Sequence, residues 1–510
     1  MRNRKSVLAL VMVIAMIGSL LAACGSNNNK ESGSNSSTKP EKVTFATLSF
    51  NRIPNDLSRI TEAVNKITRE KINVEVDLKI FGPADYAQRV NLALQSGEKL
   101  DLFTAWEQFP NFASKNQLYP LNDLIDKYGQ EMKAILDKDF GEDLLTATTI
   151  DGKIYGIPAN RGMSIPVNFV YNADMLAEIG FTADDIQSVE DLPAIFDALQ
   201  EKYPEVVPFG PINVNPSDTA LMQLLKGVNK IDYLTDSSGV GVVLGDSGEV
   251  VNLYETEAFK EGVAMMREWY ENGYLQKDAV VATNPFSEMV SSGRGFSFMG
   301  GYGGMAAGEA LSAQTGKNVD MKRIAPFYFD TNAVIAVTWM MSSTTDVPEA
   351  SMKFLNLLFS DEELLNTLLY GIEGEDYIKV DEHHVKFPEG KDASTVEYTA
   401  HLSSGLLGSE SLQYQLEGMD WSDIELKLRE NKETERSPYF GFIFNQNEVK
   451  TEVSSVNNVV NQYLPGLVTG SLDPDKAIPQ FVDALNDAGA KTIIKAKQEQ
   501  LDAWLANQNK

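Results

Sequence analysis

After residue 40, the hydrophobic pattern switches repeatedly between the period of a strand and that of a helix. Val43–Leu48 is rich in β-branched and aromatic residues, Asn73–Ile80 alternates apolar with polar positions, and Leu100–Ala105 is a third apolar run. Apolar residues recur at helical spacing in the two intervening segments, one opened by Pro54 and the other by Pro83. Strand, helix, strand, helix, strand predicts an α/β layer built on a largely parallel sheet.

In sheets of this kind, ligands bind beyond the carboxyl ends of the strands. The pattern therefore directs attention to Ser49–Asn55 after the first strand and to Trp106–Gln108 after the third. Further along, Val240–Leu244 and Val250–Leu253 predict a hairpin, and Glu257–Asn272 predicts an amphipathic helix that buries Trp269. The chain has 510 residues, too many for one ordinary core, so we expect two domains.

The N-terminus carries the features of an export signal. Arg2, Arg4 and Lys5 precede the apolar run Val7–Leu21, and small residues then lead to Cys24, the chain's single cysteine. The run is shorter than the roughly 20 apolar residues of a spanning helix, so residues 1–23 are predicted to be a secretory signal peptide. Residues 24–40 are rich in Ser, Asn and Gly and are predicted to be a flexible tether.

Charge and motif content exclude several functions. The chain has 44 Lys+Arg against 72 Asp+Glu, a net charge of −28, which disfavours nucleic acid as a partner. His383 and His384 are adjacent and would point to opposite faces of a strand, which argues against a shared metal site. We find no phosphate-binding loop and no nucleophile elbow, and we predict no catalytic residue, metal or cofactor. A glycosidase that uses two of the many carboxylates stays open as an alternative.

Six segments of the folded part form an ordered set: Ser96–Trp106 (SGEKLDLFTAW), Asp151–Pro158 (DGKIYGIP), Val170–Phe181 (VYNADMLAEIGF), Arg267–Leu275 (REWYENGYL), Val347–Tyr377 and Ser437–Gly470. Taken in this order, they resemble the extracellular solute-binding proteins of carbohydrate-type ABC importers (family 1 solute-binding proteins), and the last of them resembles the LplA-like branch. Near the N-terminus, Leu21–Cys24 resembles the bacterial lipobox, which implies cleavage before Cys24 and attachment of fatty acids such as palmitate to it.

This resemblance implies a two-lobed α/β fold of the periplasmic-binding-protein type (type II), with a ligand cleft between the lobes and a helical C-terminal region. The implied N-terminal lobe comprises residues 41–165 and 323–343, and the C-terminal lobe residues 166–322 and 344–510. The chain would cross between lobes near Gly162–Asn168, Met321–Ile324 and Met340–Thr345.

The implied function is capture of a small solute, an oligosaccharide or related carbohydrate, by hinge closure, followed by delivery to the membrane subunits of an ABC permease. The protein would be a monomer on the extracellular face of the cell membrane, held there by the lipid on Cys24. Two alternatives remain: a binding protein for a non-sugar solute or a sensor subunit, and an extracellular glycosidase.

Sugars offer flat C–H faces and rings of hydroxyls, which aromatic side chains and planar polar groups can recognise. From strand ends, predicted crossings and the resemblance together, we expect the following residues to bind the solute: Trp106, Glu107, Asn160, Arg161, Tyr302, Trp339 and Trp421.

Overall fold

The predicted strands and helices after residue 40 form because each has an apolar face and clear ends. The first strand is Glu41–Leu48, and its six last residues are buried. The helix that follows Phe81 has Pro83 in its first turn and ends on Gly97, whose φ of 73° suits a residue without a side chain. The predicted alternation of strands and helices is confirmed here, and the hairpin and the Glu257 helix are confirmed further on.

A computed structural model describes residues 39–106, 108–210, 219–281, 286–301 and 307–508. Of the two units into which the chain divides, Met1–Lys39 lies almost wholly outside the described residues, and Pro40–Lys510 contains the elements given below. The described strands are β1 Glu41–Leu48, β2 Val74–Phe81, β3 Leu102–Thr104, β4 Thr149–Ile150, β5 Lys153–Ile154, β6 Ile157–Pro158, β7 Val167–Asn172, β8 Val207–Gly210, β9 Ile231–Asp232, β10 Val240–Leu244, β11 Val251–Asn252, β12 Gly295–Gly301, β13 Val319–Ala325, β14 Thr338–Met341, β15 Ile378–Lys379, β16 His384–Lys386 and β17 Gln415–Leu416.

The described helices are α1 Ser58–Ile72, α2 Pro83–Ser96, α3 Phe109–Ser114, α4 Asn122–Tyr128, α5 Gln130–Phe140, α6 Ala173–Glu178, α7 Leu192–Lys202, α8 Ala220–Asn229, α9 Glu257–Glu271, α10 Phe286–Ser291, α11 Ala307–Thr315, α12 Thr331–Ile335, α13 Pro348–Ser360, α14 Glu362–Tyr370, α15 Ser422–Glu433, α16 Lys450–Val468, α17 Pro474–Asp487 and α18 Ala490–Gln508.

The first large sheet has the strand order β2-β1-β3-β14-β6. Strand β1 pairs in parallel with β2 and β3, and β14 enters from much later in the chain to pair antiparallel with β3 and β6. Phe45 and Trp339 stack in its core with ring centroids 4.8 Å apart, and Phe354 of α13 meets Phe45 edge-on at 5.0 Å. We call the elements packed on this sheet, from residues 41–158 and 338–433, the first lobe.

The second large sheet has the order β13-β7-β12-β8, with β7 antiparallel to both of its neighbours. Trp269 is buried beside it and lies edge-on to Phe196 and Phe209, as the helical pattern predicted. Apolar residues of α16, α17 and α18 join the same core. We call residues 167–325 and 442–508, in their described parts, the second lobe.

Between the described parts of the two lobes the chain crosses three times, through residues 159–166, 326–337 and 434–441. These crossing segments lie side by side, because Ser164, Phe327 and Thr434 line one cavity of about 270 Å³. The backbone of Phe329 also pairs with that of Glu435 and Ser437 through two hydrogen bonds. Three adjacent segments of this kind form the hinge about which two lobes can rotate.

The predicted lobe boundaries need correction at two places. Residues 323–325 belong to β13 in the second sheet, so the second crossing follows Ala325 rather than Met321–Ile324. The third crossing does not lie at Met340–Thr345, because α13 and α14 pack on the first sheet and α15 packs on α5. Residues 344–433 therefore lie in the first lobe, and the chain enters the second lobe only after them.

Candidate functional site

Two aromatic side chains lie at the edge of the first sheet where the parallel strands β1 and β3 end. Phe50 follows β1 and Trp106 follows β3, and their ring centroids are 5.7 Å apart. Phe50 is 46% exposed, and Trp106 is partly buried. We call this pair the aromatic platform. A tilted pair with one open ring is suited to the apolar face of a ligand.

A helical turn, His401–Leu406, supports the platform from the side. The backbone N–H of Phe50 donates to Ser403 Oγ (3.1 Å), and that of Leu402 donates to Asn51 Oδ1 (3.0 Å). Asn51 Nδ2 lies 3.3 Å from His401 Nδ1, and burial lowers the pKa of that imidazole. Leu402, which is 59% exposed, therefore extends the apolar surface beside Phe50.

The backbone at Trp106 is strained. Its φ is +39°, a left-handed value that side chains with a Cβ rarely adopt. The turn is fixed on both sides: the N–H of Ala105 donates to Thr338 O (2.6 Å) and that of Gln108 donates to Ala105 O (2.9 Å). Strain of this kind costs on the order of 1–3 kcal/mol and clusters at binding sites, which makes Trp106 a functional candidate on geometry as well as position.

Asn160 connects two parts of the first lobe instead of facing a solute. It is 1% exposed, and its Nδ2 donates to Asp139 Oδ2 (2.6 Å) and to Ser409 Oγ (2.7 Å). The prediction that Asn160 contacts the solute is wrong for this conformation, because the side chain has no open surface.

Arg161 is a partly buried cation without an ion pair among the described residues. Its Nε is inaccessible to solvent and has no hydrogen-bond partner, and burial lowers the pKa of the guanidinium. The carboxylate of Glu410, which accepts from the N–H of Gly162 (2.8 Å), acts on it electrostatically. A Cβ at Gly405, in the turn that supports the platform, would lie 3.5 Å from Arg161 Cδ. Arg161 remains a candidate.

The two remaining described tryptophans of the predicted site lie elsewhere. Trp339 is 0% exposed, with its Nε1 donating to Leu406 O (3.0 Å), so the prediction that it contacts the solute is wrong: it is a core residue. Trp421 precedes α15 and stacks on His383 with centroids 4.2 Å apart, beside the small sheet β15-β16-β17. Glu107, Tyr302 and Cys24 lie outside the described residues.

A polar cavity of about 500 Å³, which we call the interlobe cavity, separates the two lobes next to the platform. At its edge, Asn447 Nδ2 donates to Ser114 O (3.1 Å) across the gap. Its first-lobe wall consists of Gln108, Pro110, Asn111, Ser114 and Lys115, and its second-lobe wall of Thr235, Asp236, Ser237, Phe444, Gln446, Lys450, Val453 and Asn457. Of these residues, the sequence pattern directed attention only to Gln108 as a strand-end position, and the Ser437–Gly470 motif contained five others without predicting that they bind.

The loop between β9 and β10 forms part of the second-lobe wall and is also strained. Leu234 and Thr235 have φ values of 52° and 62°, in the left-handed region that side chains with a Cβ rarely adopt. The conformation is most unusual for Thr235, which is β-branched. The N–H of Phe444 donates to Thr235 Oγ1 (2.9 Å), and Lys497 Nζ lies 3.0 Å from Asp236 Oδ2. Contacts from the C-terminal helices therefore hold this loop in place.

Charged residues with little or no exposure extend from this loop to the hinge. At the end of β9, Asp232 is 1% exposed, and burial together with the charge of Asp330 raises its pKa to about 6. Lys226 Nζ of α8 lies 2.9 Å from Asp330 Oδ2. Asp330 also caps α12, which lies in the second crossing. An ion pair thus ties the second lobe to the hinge.

Two searches of the described residues were negative. No group of three or more His, Cys, Asp or Glu residues there could hold a metal ion. Among the described helices, none is both long and apolar enough to cross a membrane.

Two α/β lobes, joined by three adjacent crossings and with a polar cavity between them, define a binding protein that takes its ligand between lobes. Residues 62–371 match the model of the family described as bacterial extracellular solute-binding protein, and the chain belongs to this family, as the resemblance predicted. Residues 438–506, which we call the C-terminal domain, match a domain of unknown function (DUF3502).

Relatives and solved structures agree with this assignment. A carbohydrate ABC transporter substrate-binding protein of Streptococcus pneumoniae serotype 4 is 30% identical, with 99% of this chain and all of the relative covered. The fructooligosaccharide-binding protein FusA of the same organism is 27% identical over 51% of each chain. The crystal structure of the N-glycan-binding protein NgtS from Streptococcus pneumoniae superposes with a TM-score of 0.78 at 28% identity, covering 92% of this chain and all of that one. The predicted two-lobed fold is confirmed.

Proposed function

We propose that this protein is the substrate-binding subunit of an ABC importer, and that it captures an oligosaccharide between its lobes. The observation that carries this proposal is the aromatic platform of Phe50 and Trp106 at the strand ends, next to a cavity lined by amides and hydroxyls. Support also comes from relatives, since NgtS has been crystallised with Man1GlcNAc and Man5GlcNAc and FusA with kestose. The mechanism is hinge closure: a solute that contacts both lobes only when they are closed shifts the population toward that state.

Trp106→Ala should weaken glycan binding on the order of 10- to 100-fold, because it removes a partly buried aromatic anchor. Phe50→Ala should do the same with little loss of stability, because that ring is already 46% exposed. Titration calorimetry with Man1GlcNAc and kestose measures both effects.

Leu92→Ala is the matched control, since Leu92 is 57% exposed on α2 and follows no strand. If neither platform variant lost affinity, the platform would not be the binding site, but the proposed function would stand. Failure of the wild-type protein to bind any neutral oligosaccharide would overturn the carbohydrate assignment. Release of shortened sugars from the probes would instead favour the glycosidase alternative.

The cell location we propose rests on the N-terminal sequence. Cleavage after residue 23 and attachment of lipid, palmitate included, to Cys24 would hold the monomeric protein on the outer face of the cell membrane. Two acyl chains are needed for stable anchoring, which a lipid-modified N-terminal cysteine can supply. We expect the wild-type protein to partition into detergent and Cys24→Ala to be absent from the membrane fraction; equal membrane retention of both would contradict the anchor.

A further inference from the structure

The chemistry of the interlobe cavity suits a sugar. Amide groups of Asn111, Gln446 and Asn457, together with the hydroxyls of Ser114 and Ser237, line it from both lobes. Each primary amide offers two donors and an acceptor, the combination that sugar hydroxyls require. Phe444 adds an aromatic surface. A volume of about 500 Å³ is within the usual range for a small-molecule site.

The cavity begins next to the aromatic platform. Gln108 lies on its wall and follows Trp106 by two residues, so their Cα atoms are at most about 7 Å apart. Asn111 Nδ2 donates to Gln108 Oε1 (3.1 Å), which orients both amides at this end. Because Gln108 is this close to Trp106, one glycan is long enough to reach both the platform and the cavity.

The C-terminal domain supplies most of the second-lobe wall, and the loop residues Thr235, Asp236 and Ser237 supply the rest. Phe444, Gln446, Lys450 and Asn457 belong to it directly. Its helix α18 also supplies Lys497, which is 0% exposed and fixes the strained loop by donating to the carbonyls of Val240 (3.0 Å) and Gly241 (2.8 Å) in addition to pairing with Asp236.

We propose that the interlobe cavity is a second saccharide subsite, which takes the far end of longer glycans, and that the C-terminal domain builds most of its second-lobe wall and holds the rest in place. This inference rests on the proposed function. Because the subsite spans both lobes, a glycan that fills it gains contacts only in the closed state and adds to the free energy of closure.

The test compares short and long glycans by titration calorimetry. Two pairs serve as probes, Man1GlcNAc with Man5GlcNAc and kestose with fructo-nystose, all known as ligands of the relatives. Asn111→Ala and Asn457→Ala each remove a hydrogen-bonding group from one wall. Each should reduce affinity for the longer member about 3- to 10-fold and leave affinity for the shorter member unchanged.

Asn458→Ala is the control: Asn458 is the next residue on α16, is exposed, and is not part of the wall. Equal losses for short and long glycans, or no loss for either, would overturn the second subsite while the proposed function survived. Absence of wild-type binding to all four probes would overturn the proposed function, and the subsite with it.

Discussion

Replacing Trp339 with alanine should lower the free energy of unfolding by about 3–5 kcal/mol, the cost of emptying a fully buried aromatic position. The indole is 0% exposed and stacks on Phe45 at 4.8 Å. Its Nε1 donates to Leu406 O, so the substitution also leaves a buried carbonyl without its donor. Since Leu406 ends the turn that supports Phe50, we expect binding to weaken too, as a consequence of lost structure.

Urea denaturation of the protein measures this loss, with the fluorescence of the remaining tryptophans as the signal. Trp339→Phe should recover part of the stability, because a ring refills the space while the N–H stays missing. Trp421→Ala is the comparison: that indole lies partly exposed on His383, so its removal should cost less. A Trp339→Ala protein as stable as wild type would mean that the ring is not the core residue its burial indicates.

Local patterns predicted the strand-and-helix layer after residue 40 because each element there carries its own period and its own stop signal. The same reasoning placed Trp106 at the edge of the sheet, since a residue just after a strand lies at that edge whatever the rest of the fold does. Phe50 occupies the equivalent place after β1, inside the predicted segment Ser49–Asn55, although it was not among the residues predicted to bind the solute. The prediction that Trp339 contacts the solute was wrong because β14 is four residues long and all four are buried. No polar alternation in this strand shows which of its sides is open.

The packing of segments that are far apart in the chain could not be predicted from one sequence. Helices α13 and α14 are rich in apolar residues, but their pattern does not say which of two sheets they cover, and the predicted third crossing was wrong for that reason. The cavity wall illustrates the same limit: Asp236 lies in a loop of the second lobe and Lys497 in the last helix, and only the fold brings them within 3.0 Å.

The second large effect is expected at Lys497, where methionine should lower the free energy of unfolding by about 3–5 kcal/mol. The substitution keeps the length of the side chain but leaves Asp236 as a buried carboxylate without its cation. It also removes the donor to the Val240 and Gly241 carbonyls and the contact with the Phe444 ring, 5.2 Å from Nζ. We expect the preference for longer glycans that we propose for the interlobe cavity to be lost together with stability.

Two further variants separate the contribution of the Lys497–Asp236 ion pair to stability from the general cost of substituting a residue in α18. Lys495→Met, on the same helix, removes a lysine that is 78% exposed and 3.8 Å from Glu499, so it should change stability by less than about 1 kcal/mol. Adding Asp236→Asn to Lys497→Met should restore a substantial part of the loss, because the double variant no longer buries an unpaired charge while the amide can still accept from the Ser238 N–H. If the double variant were no more stable than Lys497→Met alone, the cost would lie in the lost carbonyl contacts, and the charge pairing would not be what holds the wall of the cavity.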